Sequence, residues 1–207
     1  MHVTLSGFVL FLHISVAIAA FMMAGVMHAA FQAMGRASTV AEVRSWTRVV
    51  RVLDPLFPVA ALLLLGLGAW LVHLEGDEGI GWSSGWVITA VAALVVIEGL
   101  SGALLAPRAK ALCVAADAAP EGAISDGLRR QVLDPFVWGI GHVGTFGFLG
   151  VVFLMAAKPV WWLAVIVVVA GVAIGLAAAA AQLRGLQPAT SGALPEQRLA
   201  EGARESV

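Results

Sequence analysis

Residues 160–183 read VWWLAVIVVVAGVAIGLAAAAAQL and contain no Asp, Glu, Lys or Arg. A helix that crosses a lipid bilayer needs about 20 mostly apolar residues. Four further apolar stretches of comparable length occupy residues 5–33, 56–74, 85–106 and 136–157. The sequence therefore predicts an all-α integral membrane protein, in which residues 1–184 form a bundle of five transmembrane helices.

The composition excludes several classes of protein. Of the 207 residues, 60% are hydrophobic and 12% are charged, whereas a soluble domain carries about 25% charged residues. The single cysteine, Cys113, excludes an internal disulfide, and the net charge of −1 gives no field that would favour nucleic acid. No phosphate-binding loop, nucleophile elbow or zinc-protease motif occurs, so we expect no enzyme of these soluble classes.

Basic residues fall almost entirely on one side of the predicted bundle. With five spans, eleven of the twelve Lys and Arg residues share a side, and Lys158 alone lies opposite. Because cytoplasmic loops are rich in Lys and Arg, we predict an outside N-terminus and a cytoplasmic C-terminus in a bacterial inner (plasma) membrane. The polar segment at residues 185–207 is predicted to be a flexible cytoplasmic tail.

A tetrapeptide occurs twice, as Val52–Pro55 and as Val132–Pro135, 80 positions apart. In each copy we expect the Asp to cap a helix start and the Pro to occupy the first helical turn. Two interpretations stay open. One is the duplication of a helical hairpin as a parallel repeat, and the other is convergence of two membrane-entry caps.

Glycines recur every three residues in the fourth span. Small residues let membrane helices approach closely, so we expect these positions, and others in spans two and three, to lie at helix contacts. An alternative is that they make room for a bulky cofactor. The residues are Gly141, Gly144, Gly147, Gly150, Gly66, Gly68, Gly99 and Gly102.

Three ionisable residues are predicted to lie at similar depth inside the membrane: His28, Glu98 and His142. Ionisable groups in the hydrocarbon region are costly and usually mark a functional site. Two imidazoles and a carboxylate suit a divalent transition metal, so one hypothesis is a metal site formed by these three residues. The same trio could relay protons. The structural alternative is a Glu–His hydrogen bond, with His28 extending toward the interface.

A haem is a second cofactor hypothesis. His13 and His28 are 15 residues apart, close to the two-haem spacing of membrane cytochromes b. Two haems would need a partner helix with two histidines, and span four offers only His142, so two haems are disfavoured. One haem held by His142 with His28 or His13 stays open. Thioethers of Met22, Met23, Met27 and Met155 would suit copper(I) or simply fill apolar packing.

Four short motifs carry a resemblance to a known family over about residues 5–159. They are Leu12-His13, Arg51–Asp54, Ala106–Arg108 and Phe153–Pro159. They resemble a bacterial family of predicted integral membrane proteins, a domain of unknown function that looks similar in its opening to the copper-resistance D membrane domain. This resemblance implies a role in copper movement, carried by Leu12-His13. The glycine-rich stretch expected after that histidine is reduced to Ala24-Gly25.

Three functional hypotheses follow from the sequence. The first is a non-enzymatic membrane protein that handles a metal ion or one haem within its bundle. The second is a structural or assembly subunit, with a second copy of the chain or a larger membrane complex as its partner besides the lipid bilayer. The third is a small proton-coupled transporter, in which Glu98 would mark the ion path.

Overall fold

The computed structural model describes residues 4–75 and 81–186. These residues form eight α-helices and one π-helical turn, Ser101–Leu105, which joins α4 to α5 without a break. The helices are α1 (Leu5–Arg36), α2 (Val40–Leu53), α3 (Leu56–Leu74), α4 (Gly85–Leu100), α5 (Ala106–Ala118), α6 (Asp126–Val132), α7 (Pro135–Ala157) and α8 (Trp161–Leu186).

Five helical stretches are long and apolar enough to cross a membrane, which confirms the predicted fold class. They contain α1, α2 with α3, α4 with α5, α6 with α7, and α8. The helix α8 continues to Leu186, so the first two residues of the predicted tail are helical. The rest of that tail lies outside the described residues.

Three helices that the hydropathy pattern does not predict as spans, α2, α5 and α6, form a layer at one end of the bundle, here called the cap. Apolar side chains on one face of α2, such as Val43 and Val50, are buried. They share a core with Leu112 of α5, Val132 of α6 and Met34 at the end of α1. One face of α5 is therefore buried.

Within the cap, arginines on α2 bind this helix to the end of α5. The Arg44 Nε donates to the carbonyl of Ala116 at 2.8 Å, and its guanidinium also pairs with Glu121. Arg51 donates to the carbonyl of Cys113 at 3.1 Å and pairs with Asp117. The Ala116 carbonyl is among the last four of α5, which have no partner within the helix, so Arg44 satisfies a group that would otherwise stay open.

The basic residues of the described chain lie at one end of the bundle, with the exception of Lys158, as the sequence predicts. Nine of them lie on the cap or on helix ends beside it, whereas Lys158 ends α7 at the opposite end. Which end faces the cytoplasm stays a prediction. The nine are Arg36, Arg44, Arg48, Arg51, Arg108, Lys110, Arg129, Arg130 and Arg184.

The two copies of the repeated tetrapeptide have different local structures. Asp134 caps α7, since its Oδ1 accepts the Phe136 N–H at 2.8 Å, and Pro135 occupies the first turn as predicted. For Asp54 the prediction is wrong. This residue is still helical, with φ −52° and ψ −48°, and closes α2, so its carboxylate caps nothing on α3.

The contact between α7 and α8 depends on two glycines of α8 that lie four residues apart. A Cβ on Gly175 would meet the His142 carbonyl oxygen and the Val143 Cα at 2.8 Å each. A Cβ on Gly171 would meet the Phe146 carbonyl oxygen at 2.7 Å. Backbone therefore packs directly on backbone, as in other membrane helix pairs with small residues at this spacing.

Only some of the glycines predicted at helix contacts are found there. Gly147 lies against Ile97, whose Cδ1 would be 2.8 Å from an added Cβ, and Gly150 lies against α8. For Gly66, Gly99 and Gly102 the prediction is wrong, because an added Cβ would meet no described atom within 4 Å. These three positions face the open side of their helices.

Candidate functional site

A cavity of about 290 Å³ lies among α1, α3, α4 and α7, in the half of the bundle that is farthest from the cap. Its walls are mainly aliphatic and aromatic. Leu64 lies at the end nearer the cap and Glu75 at the other, which gives a length of about 16 Å at 1.5 Å per helical residue. Other lining residues include Leu10, Ala17, Leu94, Phe148, Val151 and Met155.

His13 is the polar group in the interior of this cavity. The side chain is 5% exposed, and its Nδ1 is buried without a hydrogen-bond partner. Gly68 on α3 makes room for the ring, because a Cβ there would lie 3.3 Å from the His13 Cε1. An imidazole ring can donate and accept hydrogen bonds, so His13 adds hydrogen-bonding capacity to an otherwise apolar wall.

Charged and amphipathic side chains surround the end of the cavity at the membrane boundary, here called the mouth. Glu75, Trp82 and Lys158 line it. Lys158 ends α7 in the left-handed conformation, with φ 46°, and its Nζ lies 6.0 Å from the centroid of the Trp86 ring. Tryptophan and lysine at this level are typical of the membrane–water interface.

A second polar site joins α1 to α7 nearer the cap. The rings of His28 and His142 are in contact, with centroids 4.4 Å apart and planes tilted by 55°. The His28 Nε2 lies 2.7 Å from the Thr145 Oγ1, and the His142 Nδ1 lies 2.8 Å from the Trp138 carbonyl oxygen. The indole of Trp138 stacks on the His142 ring at 5.9 Å.

An aromatic pair separates the two sites. Phe21 of α1 packs on Phe148 of α7 with ring centroids 5.2 Å apart, between the level of His13 and that of His28. Fifteen residues separate the two histidines, which corresponds to about 22 Å along the helix. His13 therefore belongs to the cavity alone, and His28 and His142 form a different site.

Glu98 does not join the histidine pair. It is half-buried in the last turn of α4, just before the π-helical turn, and it makes no ion pair or side-chain hydrogen bond within the described chain. Neighbouring Ile97 is the residue that packs against α7. The predicted Glu–His hydrogen bond is thus not formed. Among residues 4–75 and 81–186, no three His, Cys, Asp or Glu side chains lie close enough to hold a metal ion.

The histidine positions do not fit a single haem either. Metal–imidazole bonds are about 2 Å long, so two rings on opposite sides of one iron have centroids about 6 Å apart. The centroids of His28 and His142 are 4.4 Å apart, and those two rings are therefore too close. His13 is too far from His142 along the bundle to share an iron with it.

The thioethers predicted as copper ligands point to different parts of the molecule. Met22 is 68% exposed, Met27 belongs to the core beneath the cap, and Met155 lines the cavity. His13 and Met155 line the same cavity, whereas Met22, Met23 and Met27 do not line it.

Comparison with protein families places the chain among membrane proteins. The family described as predicted integral membrane protein (DUF2269) matches residues 7–159, which include both polar sites and the first four spans. No curated protein and no solved structure matches the chain. The match covers most of the 207 residues, and the chain belongs to this family of integral membrane proteins.

Proposed function

We propose that this membrane protein binds a small, mostly apolar molecule in the cavity around His13. One observation carries the proposal: His13 lines a cavity whose interior walls are otherwise apolar, and the buried Nδ1 of its ring has no hydrogen-bond partner. A buried polar atom without a partner costs about 1–3 kcal/mol, so its retention needs an explanation. A ligand in the cavity that hydrogen-bonds the imidazole of His13 supplies one.

The lining of the cavity sets the chemical class of the ligand. Ligand sites in proteins span about 300–1,000 Å³, so a cavity of 290 Å³ takes a molecule at the small end. The charged lining residues Glu75 and Lys158 lie at the mouth, about two to three helical turns from His13. We therefore expect a neutral ligand, an alkyl chain or ring with one hydroxyl or carbonyl group that reaches His13.

The bilayer is the source of such a ligand in this proposal. The open faces of the helices carry large apolar side chains such as Phe8, Phe11 and Leu62, which are suited to contact with lipid. Apolar molecules concentrate in this environment because water excludes them. The proposed role is the binding of a membrane-dissolved molecule. It keeps the first hypothesis from the sequence, a non-enzymatic protein that binds a ligand within its bundle, but replaces the metal ion or haem with an apolar molecule.

The test uses a terminally brominated decanol and the matching brominated decane, because bromine quenches tryptophan fluorescence. Trp82 and Trp86 line the cavity and report on binding. We expect saturable quenching of the protein in mild detergent. The alcohol should bind several-fold to about tenfold more tightly than the alkane, the effect of one hydrogen bond.

Two glycines on α3 supply matched variants. Gly68→Leu places a side chain against His13, whereas Gly66→Leu places one where no described atom lies within 4 Å. Saturable quenching should disappear in G68L and persist in G66L. In His13→Leu the preference for the alcohol should vanish. Equal quenching in wild type, G68L and G66L would contradict the proposal, because the bromine would then reach only lipid-facing tryptophans.

A further inference from the structure

The contact between His28 and His142 is a separate site that the ligand cavity does not use. His142 is 3% exposed, and its ring is enclosed by the indole of Trp138 and by His28. One turn closer to the cap, Gln32 of α1 donates to Gln182 of α8 at 3.1 Å. Polar groups thus continue from the histidine pair toward the cap.

Hydrogen-bond partners indicate which ring nitrogens carry the hydrogens when both histidines are neutral. A carbonyl oxygen can only accept, so the His142 Nδ1 carries the hydrogen that it donates to the Trp138 carbonyl. The Thr145 hydroxyl lies 3.1 Å from the Gly141 carbonyl, to which it donates. We infer that the Thr145 oxygen accepts from the Nε2–H of His28 at 2.7 Å.

Each ring consequently keeps one lone pair, on Nδ1 of His28 and on Nε2 of His142. A proton can bind at either nitrogen, but two charged rings with centroids 4.4 Å apart would repel strongly in a membrane interior. The face of an indole attracts a cation within about 6 Å of its centroid. The Trp138 indole stacks at 5.9 Å on the ring of His142, which favours the charge on His142 rather than on His28.

No neighbouring charge changes this assignment. From α7 the groups that face the pair are Thr145 and Trp138, and from α8 the backbone at Gly175 packs on the His142 carbonyl. The titratable residue of α4 is Glu98, and in the described chain it forms no ion pair or hydrogen bond with either ring. On α6, Arg129 is used at the cap, where it donates to the Ala37 carbonyl at 3.1 Å.

We propose that His28 and His142 form a site that binds one proton, taken from water onto the Nε2 of His142. Uptake forms one N–H bond and leaves His28 neutral. The charge then lies at the contact between α1 and α7, so this helix contact responds to pH. The site is independent of the His13 cavity, and either proposal can fail without the other.

Nitrogen-15 NMR of the histidine-labelled protein in mild detergent tests the assignment directly. At alkaline pH we expect the hydrogen on Nδ1 of His142 and on Nε2 of His28, with the signals assigned by His28→Gln and His142→Gln. On acidification to about pH 4, well below the ordinary pKa of histidine, one of the two rings should become an imidazolium. Identical tautomers, or two rings that both charge or both stay neutral, would overturn the proposal.

Trp138 gives a second readout that does not need NMR assignments. A charged imidazole stacked on an indole quenches its fluorescence, and the difference between wild type and Trp138→Phe isolates this tryptophan among the seven. The difference signal should fall in one step as the pH is lowered. The step should persist in H28Q and be absent in H142Q. A step that persists in H142Q, or no step in the wild type, would contradict the proposal.

Discussion

At the scale of single residues, the three histidines of the bundle differ in how their hydrogen bonds are satisfied. His142 donates to a backbone carbonyl and stacks on an indole, and His28 bonds a threonine hydroxyl. His13 is as deeply buried as His142, yet its Nδ1 has no partner. The same residue type therefore stabilises the bundle at one depth and costs stability at another.

This difference gives a prediction for the ligand-free protein. His13→Leu should leave the free energy of unfolding unchanged or raise it by about 1 kcal/mol, because it removes an unpaired buried polar atom. His142→Leu is the matched control and should lower it by about 1–3 kcal/mol, since a satisfied hydrogen bond and a ring contact are lost. Thermal unfolding in mild detergent measures both. An equal loss in the two variants would mean that His13 has a structural role.

At the scale of helices, the contact between α7 and α8 depends on the close approach of the two backbones. The helices α7 and α8 meet where Gly171 and Gly175 leave no space for a side chain. Lipid is as apolar as the helix surface, so association depends on packing of this kind. The α7–α8 contact also fixes α7 and with it the position of His142.

We therefore predict that Gly175→Ala lowers the free energy of unfolding by about 1–3 kcal/mol, the usual cost of overpacking. An added Cβ would lie 2.8 Å from backbone atoms of His142 and Val143, which cannot move aside as a flexible side chain could. Gly66→Ala is the control, because its Cβ would meet no described atom within 4 Å. Unfolding of both variants in mild detergent makes the comparison, and equal midpoints would contradict the predicted contact.

At the scale of the whole molecule, the two ends of the bundle have opposite character. One end carries the cap with most of the described basic residues, and the other carries the mouth of the cavity with Glu75 and Lys158. Positive charge is retained on the cytoplasmic side of bacterial membranes. The cap should therefore face the cytoplasm, and the cavity should open toward the outer side.

Reporter fusions test this orientation. Green fluorescent protein fused after Val207 should fluoresce, because it folds in the cytoplasm. Alkaline phosphatase inserted after Gly81, between α3 and α4, should be active, because it needs the oxidising outer compartment. A dark C-terminal fusion together with an inactive phosphatase at Gly81 would reverse the predicted topology.

The sequence by itself determined the membrane class, the five spans and the separation of basic residues toward one end. Each of these depends on composition summed along a local stretch, and hydropathy measures this directly. It also identified Asp134 as the cap of α7. This cap is predictable because the residue that accepts the hydrogen bond and the residue that donates it, Phe136, are only two positions apart in the sequence. The Gly171–Gly175 spacing was a further local signal, and it would have indicated the α8 contact.

Only the tertiary structure decided which polar residues meet. Glu98 and His142 have similar predicted depths, yet Ile97 rather than Glu98 faces α7, because consecutive residues of a helix point about 100° apart. A soluble helix shows its buried face as an apolar stripe, whereas a membrane helix is apolar all round and carries no such signal. Its rotation is set by contacts with its neighbours, and those contacts placed His28 on His142 and left His13 facing the cavity.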